Sequence, residues 1–149
     1  LYGPHDKFDW EKSKVIPALI RRAVERQNPF EVWGDGMDLK DFLYIDDYID
    51  GMLLAMEKMH EFQPINIANG QAVTIRDVLQ EILIAVDYQD ASVEYDASKP
   101  TMIPKRMIDI SLANELLGWS PVVSLKEGIQ RTVDWYRETY TDKTPEETT

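Results

Sequence analysis

The chain has 149 residues, of which 44% are hydrophobic and 29% charged, and its formal net charge is −11. This length and composition suit one globular domain, and the acidic balance argues against nucleic-acid binding because the long-range field repels polyanions. The absence of cysteine excludes disulfides, thiolate nucleophiles and zinc-thiolate sites and fits a reducing compartment, so a cytoplasmic protein is expected.

Neither a membrane span nor a signal peptide is expected. No stretch approaches the roughly 18 consecutive apolar residues that a membrane helix needs. The first residues, Leu1 to Pro4, lack the basic and then apolar pattern of a signal peptide. Because the sequence starts in the middle of an element without an initiator methionine, we expect a fragment of a longer protein.

The first third of the chain predicts a helix, a strand and a glycine turn. Ser13 is expected to cap a helix that runs to about Gln27, with Pro17 in its first turn. Residues 30–33 predict a short strand, and Gly34-Asp35-Gly36 predicts a turn. The apolar stripe of the helix consists of Ile16, Leu19, Ile20 and Val24.

A second helix and a second strand are predicted next. A short extended run over residues 42–45 precedes a helix that Asp46 or Asp47 caps and that ends near His60. These aspartates could instead be catalytic carboxylates, but capping and the helix dipole explain them, and the structural interpretation is favoured. Residues 64–68 predict a further short strand that ends at an Asn-Gly turn.

The remainder predicts three helices and one more strand. Thr74 and Asp77 are expected to form a capping box, and residues 92–95 a strand. Ser111 is expected to cap a short helix that Gly118 stops. Ser124 opens the last helix, whose expected buried stripe is Leu125, Ile129, Val133, Tyr136 and Tyr140.

Few residues are candidates for chemistry. His5 and His60 have no partner at metal-ligand spacing, so no metal site is expected. The glycines match no phosphate-binding loop. Three basic residues in unusual settings remain: Arg22, Lys40 and Arg106. They could be phosphate ligands, but composition alone favours solvated surface charges.

Several short stretches, in this order and spacing, resemble one known family. They are LYGP, VIPALIRR, the WGDG-to-FLYIDD unit, INIANG with TIRDVLQEI, DASKP with PKRMID, and LLGWSP before SLKEGI. The pattern is similar to the C-terminal part of the extended short-chain dehydrogenase/reductases, the NAD-dependent epimerase/dehydratase family. Within that family it resembles the GDP-L-fucose synthase-like nucleotide-sugar enzymes.

The resemblance implies a mixed α/β fold with short strands and about five helices, lacking most of the Rossmann sheet. Residues 1–140 would be the sugar-nucleotide-binding portion, in which residues 42–87 resemble the last helix-strand-helix elements of the dinucleotide-binding domain. Residues 141–149 would be a flexible tail. The family's glycine-rich loop and tyrosine–lysine pair have no counterpart in these 149 residues.

Functional residues are carried over by resemblance alone. Arg22 matches a diphosphate-contacting arginine, Arg106 matches a basic residue near the phosphates, and Lys40 stands where the family usually has arginine. Val32 and Trp33 would line the base pocket. Lys14 occupies the position of the fucose synthases' proton-donating histidine, and it is a poorer acid at neutral pH.

The implied function is the substrate-binding part of an NAD(P)-dependent nucleotide-sugar epimerase, dehydratase or reductase, an isomerase or oxidoreductase that is inactive as an isolated chain. The expected ligand is a nucleoside-diphosphate sugar. NAD or NADP would serve the intact enzyme, and this chain alone would bind neither. Homo-oligomers or association through exposed apolar surface are expected, and the alternative is a non-catalytic binding or assembly module on the same scaffold.

Overall fold

The structure is a computed structural model that describes residues 1–10, 12–99 and 103–141. In this part of the chain five helices and four short strands form the mixed α/β fold that the sequence predicts. The helices are α1 (Val15–Val24), α2 (Ile45–Lys58), α3 (Ile75–Ala85), α4 (Ser111–Leu117) and α5 (Leu125–Tyr140). The strands are β1 (Phe30–Trp33), β2 (Leu39–Asp41), β3 (Ala72–Thr74) and β4 (Val93–Asp96). Of the predicted tail 141–149, only Thr141 lies within the described residues.

The strands form two small sheets. Strand β1 pairs in parallel with β4, with Phe30 opposite Val93. Strand β2 pairs antiparallel with β3, with Leu39 opposite Thr74. On its other edge, β2 is hydrogen-bonded to the segment around Lys105, so this three-residue strand is paired on both sides.

The main core lies where α1, α3 and α5 pack over β1. Each helix presents one apolar stripe at helical spacing, which is why burying that stripe stabilises helices of modest length. A second, smaller core between α2 and α4 contains Leu43, Ala113, Leu117 and Trp119. Fully buried side chains of the main core include Ile16, Ile20, Phe30, Val78, Ile82, Ile129 and Val133.

Several predicted helix ends are confirmed. The Thr74 hydroxyl accepts from the Asp77 amide and the Asp77 carboxylate accepts from Thr74, so the predicted capping box at α3 is present. These hydrogen bonds from Thr74 lower the pKa of the Asp77 carboxyl. Gly118 ends α4 in the left-handed region at φ 63°, and Ser124 caps α5 by accepting from the Glu127 amide.

Other predicted caps are wrong. Helix α1 begins after Lys14 without a side-chain cap, not at Ser13, and it ends at Val24. Pro17 occupies the third position of this helix, within the first turn, where proline is tolerated because the first N–H groups of a helix have no intrahelical partner. Ser111 is the first residue of α4 rather than its cap, which is Ile110.

The predicted strand over residues 64–68 is absent, because no described strand lies alongside to form its hydrogen bonds. Asn66 instead donates its side-chain amide to the Asp109 carbonyl at 3.0 Å. The predicted burial of Tyr140 is wrong as well, since 55% of its surface is exposed near the end of α5.

Helix α2 begins after Tyr44, so neither aspartate is its cap. Asp47 lies in the first turn, is only 2% exposed, and accepts from the amides of Val122 (3.1 Å) and Val123 (3.0 Å). A carboxylate on α2 therefore holds the segment that leads into α5.

The outer face of α2 is apolar and uncovered within the described residues. Its side chains recur at helical spacing and are between 44% and 76% exposed: Ile49, Met52, Leu53 and Met56. Among the described helices, none is both long and apolar enough to cross a membrane.

Replacing Asp47 should destabilise the fold. Asp47→Ala leaves two amide donors without their carboxylate acceptor, and we expect a loss of about 2–3 kcal/mol in the free energy of unfolding. Urea denaturation followed by circular dichroism measures it. Asp46→Ala is the matched control. Asp46 is exposed, and its contact with Arg131 is a surface ion pair at 3.6 Å, so we expect the free energy of unfolding to change by less than about 1 kcal/mol. Equal losses for the two variants would contradict the role given to Asp47.

Candidate functional site

The turn between β1 and β2 is fixed by glycine and by α3. Gly34 and Gly36 both have positive φ, 82° and 75°, and a Cβ on Gly36 would come within 2.6 Å of the Tyr95 ring. Arg76, in the first turn of α3, donates its Nε to the Asp35 carbonyl at 3.0 Å and stacks over Tyr95. The direction in which β2 leaves the turn is therefore set by packing.

Lys40 is partnered within the protein. Its Nζ lies 3.0 Å from the Asp38 carboxylate and also donates to the Ile103 carbonyl. The two side chains of this ion pair are 18% and 17% exposed.

Arg106 is brought beside Lys40 by the main chain. The Leu39 amide donates to the Pro104 carbonyl, and the Arg106 amide donates to the Leu39 carbonyl, both at 2.8 Å. The Arg106 residue is exposed. Two basic residues that are distant in sequence thus lie on neighbouring extended segments.

Arg22, on α1, is joined to β1, whose last residue is Trp33. Arg22 donates Nη1 to the Glu31 carbonyl at 2.8 Å, and its Nε is buried with no hydrogen-bond partner in the described part of the chain. Trp33 is 54% exposed at the end of β1, with Lys99 Nζ 5.7 Å from its ring centre. Val32 is buried in the main core. The predicted residues therefore form two groups: Arg22, Val32 and Trp33 lie on or against β1, and Lys40 and Arg106 lie on or against β2.

Lys14 stands apart from both groups. It precedes α1 as the N-terminal flanking residue, and it is exposed. In the described residues no group of histidine and carboxylate side chains could hold a metal ion.

The surface of the described residues includes three cavities of about 400–460 Å³, and none of these three is lined by Arg22, Lys40 or Arg106. The cavity beside β1 is lined by Glu31, Glu94 and Asp96. Its carboxylates would repel a phosphate. The two basic groups are therefore surface features rather than walls of these cavities.

Two aspartates around Lys40 were missed from the sequence. Asp41 accepts from the amides of Asn69 (2.9 Å) and Gly70 (2.8 Å), which ties the loop before β3 to β2. Asp38 holds the Lys40 ammonium. The alternation of side chains along a strand was the available signal, because residues two apart lie on one face and an acid and a base at that spacing can pair.

Comparisons with known proteins agree with this fold. Residues 1–68 match the sequence model of the NAD dependent epimerase/dehydratase family. A probable GDP-L-fucose synthase from Oryza sativa is 40% identical over 93% of this chain and 43% of its own length. A solved GDP-L-fucose synthetase from Naegleria fowleri superposes with a TM-score of 0.85 and 27% identity, over 93% of this chain and 44% of its own.

A UDP-glucuronic acid 4-epimerase from Bacillus cereus, solved with UDP-glucuronic acid and NAD, has a TM-score of 0.80 and 30% identity, over 93% of this chain and 43% of its own. The fold is thus a partial short-chain dehydrogenase/reductase fold. Over residues 1–68 the chain is similar to the NAD dependent epimerase/dehydratase family, and it spans less than half the length of the curated relatives it matches.

Proposed function

We propose that β2 and the segment 103–106 bind the diphosphate of a nucleoside-diphosphate sugar, with Lys40 and Arg106 as its cationic ligands. The observation that carries this proposal is the pairing of β2 with that segment, which sets two basic residues side by side in a chain of net charge −11. Diphosphate oxygens take charge-assisted hydrogen bonds from such groups. A Debye length of roughly 10 Å lets a local basic pair act despite the acidic background.

The residues of β1, together with Arg22 on α1, extend this proposed site. Trp33 offers an exposed ring on which a base can stack. Arg22 uses Nη1 for the Glu31 carbonyl, which leaves other guanidinium N–H groups for phosphate oxygens. Val32 takes part through the main chain of β1, since its side chain is 2% exposed.

In this proposal residues 1–140 are the sugar-nucleotide-binding portion, and residues 42–87 correspond to the last elements of a dinucleotide-binding domain. The related 4-epimerase from Bacillus cereus was solved with NAD and with UDP-glucuronic acid. By analogy, NAD or NADP serves the intact enzyme and a nucleoside-diphosphate sugar is the substrate. The 149 residues contain no glycine-rich loop of the Rossmann type, so the chain alone performs no hydride transfer.

A second candidate function is a non-catalytic assembly module. The exposed apolar face of α2 favours it, because contiguous apolar side chains on a surface mark association sites. The two functions are compatible in one chain, and separate experiments test them.

The diphosphate proposal is tested by titrating GDP and UDP calorimetrically into the chain. Arg22→Met and Arg106→Met should each weaken binding by about 1.5–3 kcal/mol, the range for a hydrogen bond to a charged group. Lys126→Met is the control, because Lys126 is an exposed cation in α5 and should leave binding unchanged. Wild-type protein that binds neither nucleotide, or three variants that behave alike, would contradict the proposal.

The chain alone should bind NAD(H) and NADP(H) no better than a non-specific acidic protein. The glycine-rich loop and helix N-terminus that hold a pyrophosphate in dinucleotide-binding domains have no counterpart in its sequence. Calorimetry with each cofactor checks this, with GDP as the positive comparison. A dissociation constant in the micromolar range for either cofactor would show that the expectation is wrong.

Light scattering should reveal dimers or larger species that form through the α2 face. Met52→Lys with Met56→Lys should shift the protein toward monomer, because two charges in that face oppose its burial. Ile84→Lys is the control, since Ile84 is 43% exposed on a different helix, α3. A wild-type monomer, or an equal effect of the control, would rule out association through α2.

A further inference from the structure

The positive charge of Lys40 is already partly neutralised by an internal carboxylate. The Asp38 carboxylate lies 3.0 Å from Nζ, and both side chains are more than four-fifths buried, so bulk salt screens this pair less than the exposed Arg131 pairs. Lysine has three N–H donors. One serves Asp38 and one the Ile103 carbonyl, which leaves a single donor for any ligand.

We propose that Asp38 is an affinity-determining residue of the diphosphate site, because its carboxylate competes with the ligand's phosphate for Lys40. The inference rests on the proposed function. A phosphate oxygen that reaches the third donor of Nζ comes close to the Asp38 carboxylate, and like charges at such separations repel. Asp38 thereby weakens anion binding while it holds Lys40 against residues 103–106.

The pairing also determines what arginine would do at position 40. A guanidinium can form two parallel hydrogen bonds to a phosphate, but a carboxylate can accept the same two hydrogen bonds. With Asp38 present, an arginine at position 40 would form these hydrogen bonds with the Asp38 carboxylate instead of with the ligand. The benefit of Lys40→Arg for phosphate binding should therefore emerge only when Asp38 is neutral, and the two substitutions should be non-additive.

The test uses the full chain and GDP, UDP and inorganic pyrophosphate as probes. Asp38→Asn keeps the side-chain shape and the Asp38 carbonyl that accepts from the Ile75 amide at 3.2 Å. It should tighten GDP binding about three- to tenfold by removing the repulsion. Asp50→Asn makes the same charge change at an exposed position of α2 and should leave the affinity unchanged. Lys40→Arg should change affinity less than about twofold in the wild type and should tighten it about threefold or more in the Asp38→Asn background.

A ligand-free measurement separates this inference from the proposed function. Reductive methylation, followed by mass spectrometry, should modify Lys40 several-fold faster in Asp38→Asn than in wild type. Lys58, which donates to the Leu117 carbonyl at 2.6 Å, should react equally in both. Equal Lys40 rates would show that the ion pair does not form and would overturn the inference.

The binding outcomes are equally decisive. GDP binding that is unchanged or weaker in Asp38→Asn would overturn the proposed competition between Asp38 and phosphate. Equal increases in GDP affinity in Asp38→Asn and Asp50→Asn would overturn it too, because they would show an effect of net charge alone. If no form of the chain binds GDP, UDP or pyrophosphate while Lys40 still reacts faster in Asp38→Asn, the ion pair stands, and the proposed function and the competition built on it fail.

Discussion

The hydrogen bonding of β2 on both of its edges is the constraint on which the candidate site depends. Leu39 pairs with Thr74 of β3 on one edge and exchanges hydrogen bonds with Pro104 and Arg106 on the other. A two-stranded ribbon is marginal by itself in water, so the third segment matters to a strand of only three residues. Because of this pairing, a residue from the C-terminal third of the chain lies beside Lys40.

Aspartate carboxylates hold several loops and helix ends near this strand. The net charge of −11 therefore includes carboxylates that have a structural role. Asp41 accepts two amides of the loop before β3, Asp47 accepts two amides of the segment before α5, and Asp77 completes the cap of α3. Each accepts main-chain N–H groups, and hydrogen bonds to a charged acceptor are the stronger kind. Part of the acidity is therefore structural, and the local environment of a basic residue says more about anion binding than the overall charge.

Local patterns predicted the elements that short-range physics controls. The capping box at Thr74 and the glycine that ends α4 depend on neighbours within a few positions, and both were confirmed. The strand expected over residues 64–68 failed because a strand exists only with a partner, which local sequence does not specify. The role of Asp47 was missed for the same reason, since its amide donors lie in a distant segment.

In the candidate site too, the sequence indicated which residues matter but not their contacts with distant segments. The family resemblance pointed to Arg22, Lys40 and Arg106 but could not reveal that Lys40 has an internal partner or that Arg22 is fastened to the carbonyl of Glu31. A cation bound within the protein is pre-organised, since its rotamer entropy is already lost before a ligand arrives. It is also partly neutralised, so it offers less electrostatic attraction. At Lys40 both effects are present, whereas Arg22 is held by a neutral carbonyl and keeps its full charge. Arg22 therefore combines orientation with charge, and the two groups of basic residues would contribute to anion binding in physically different ways.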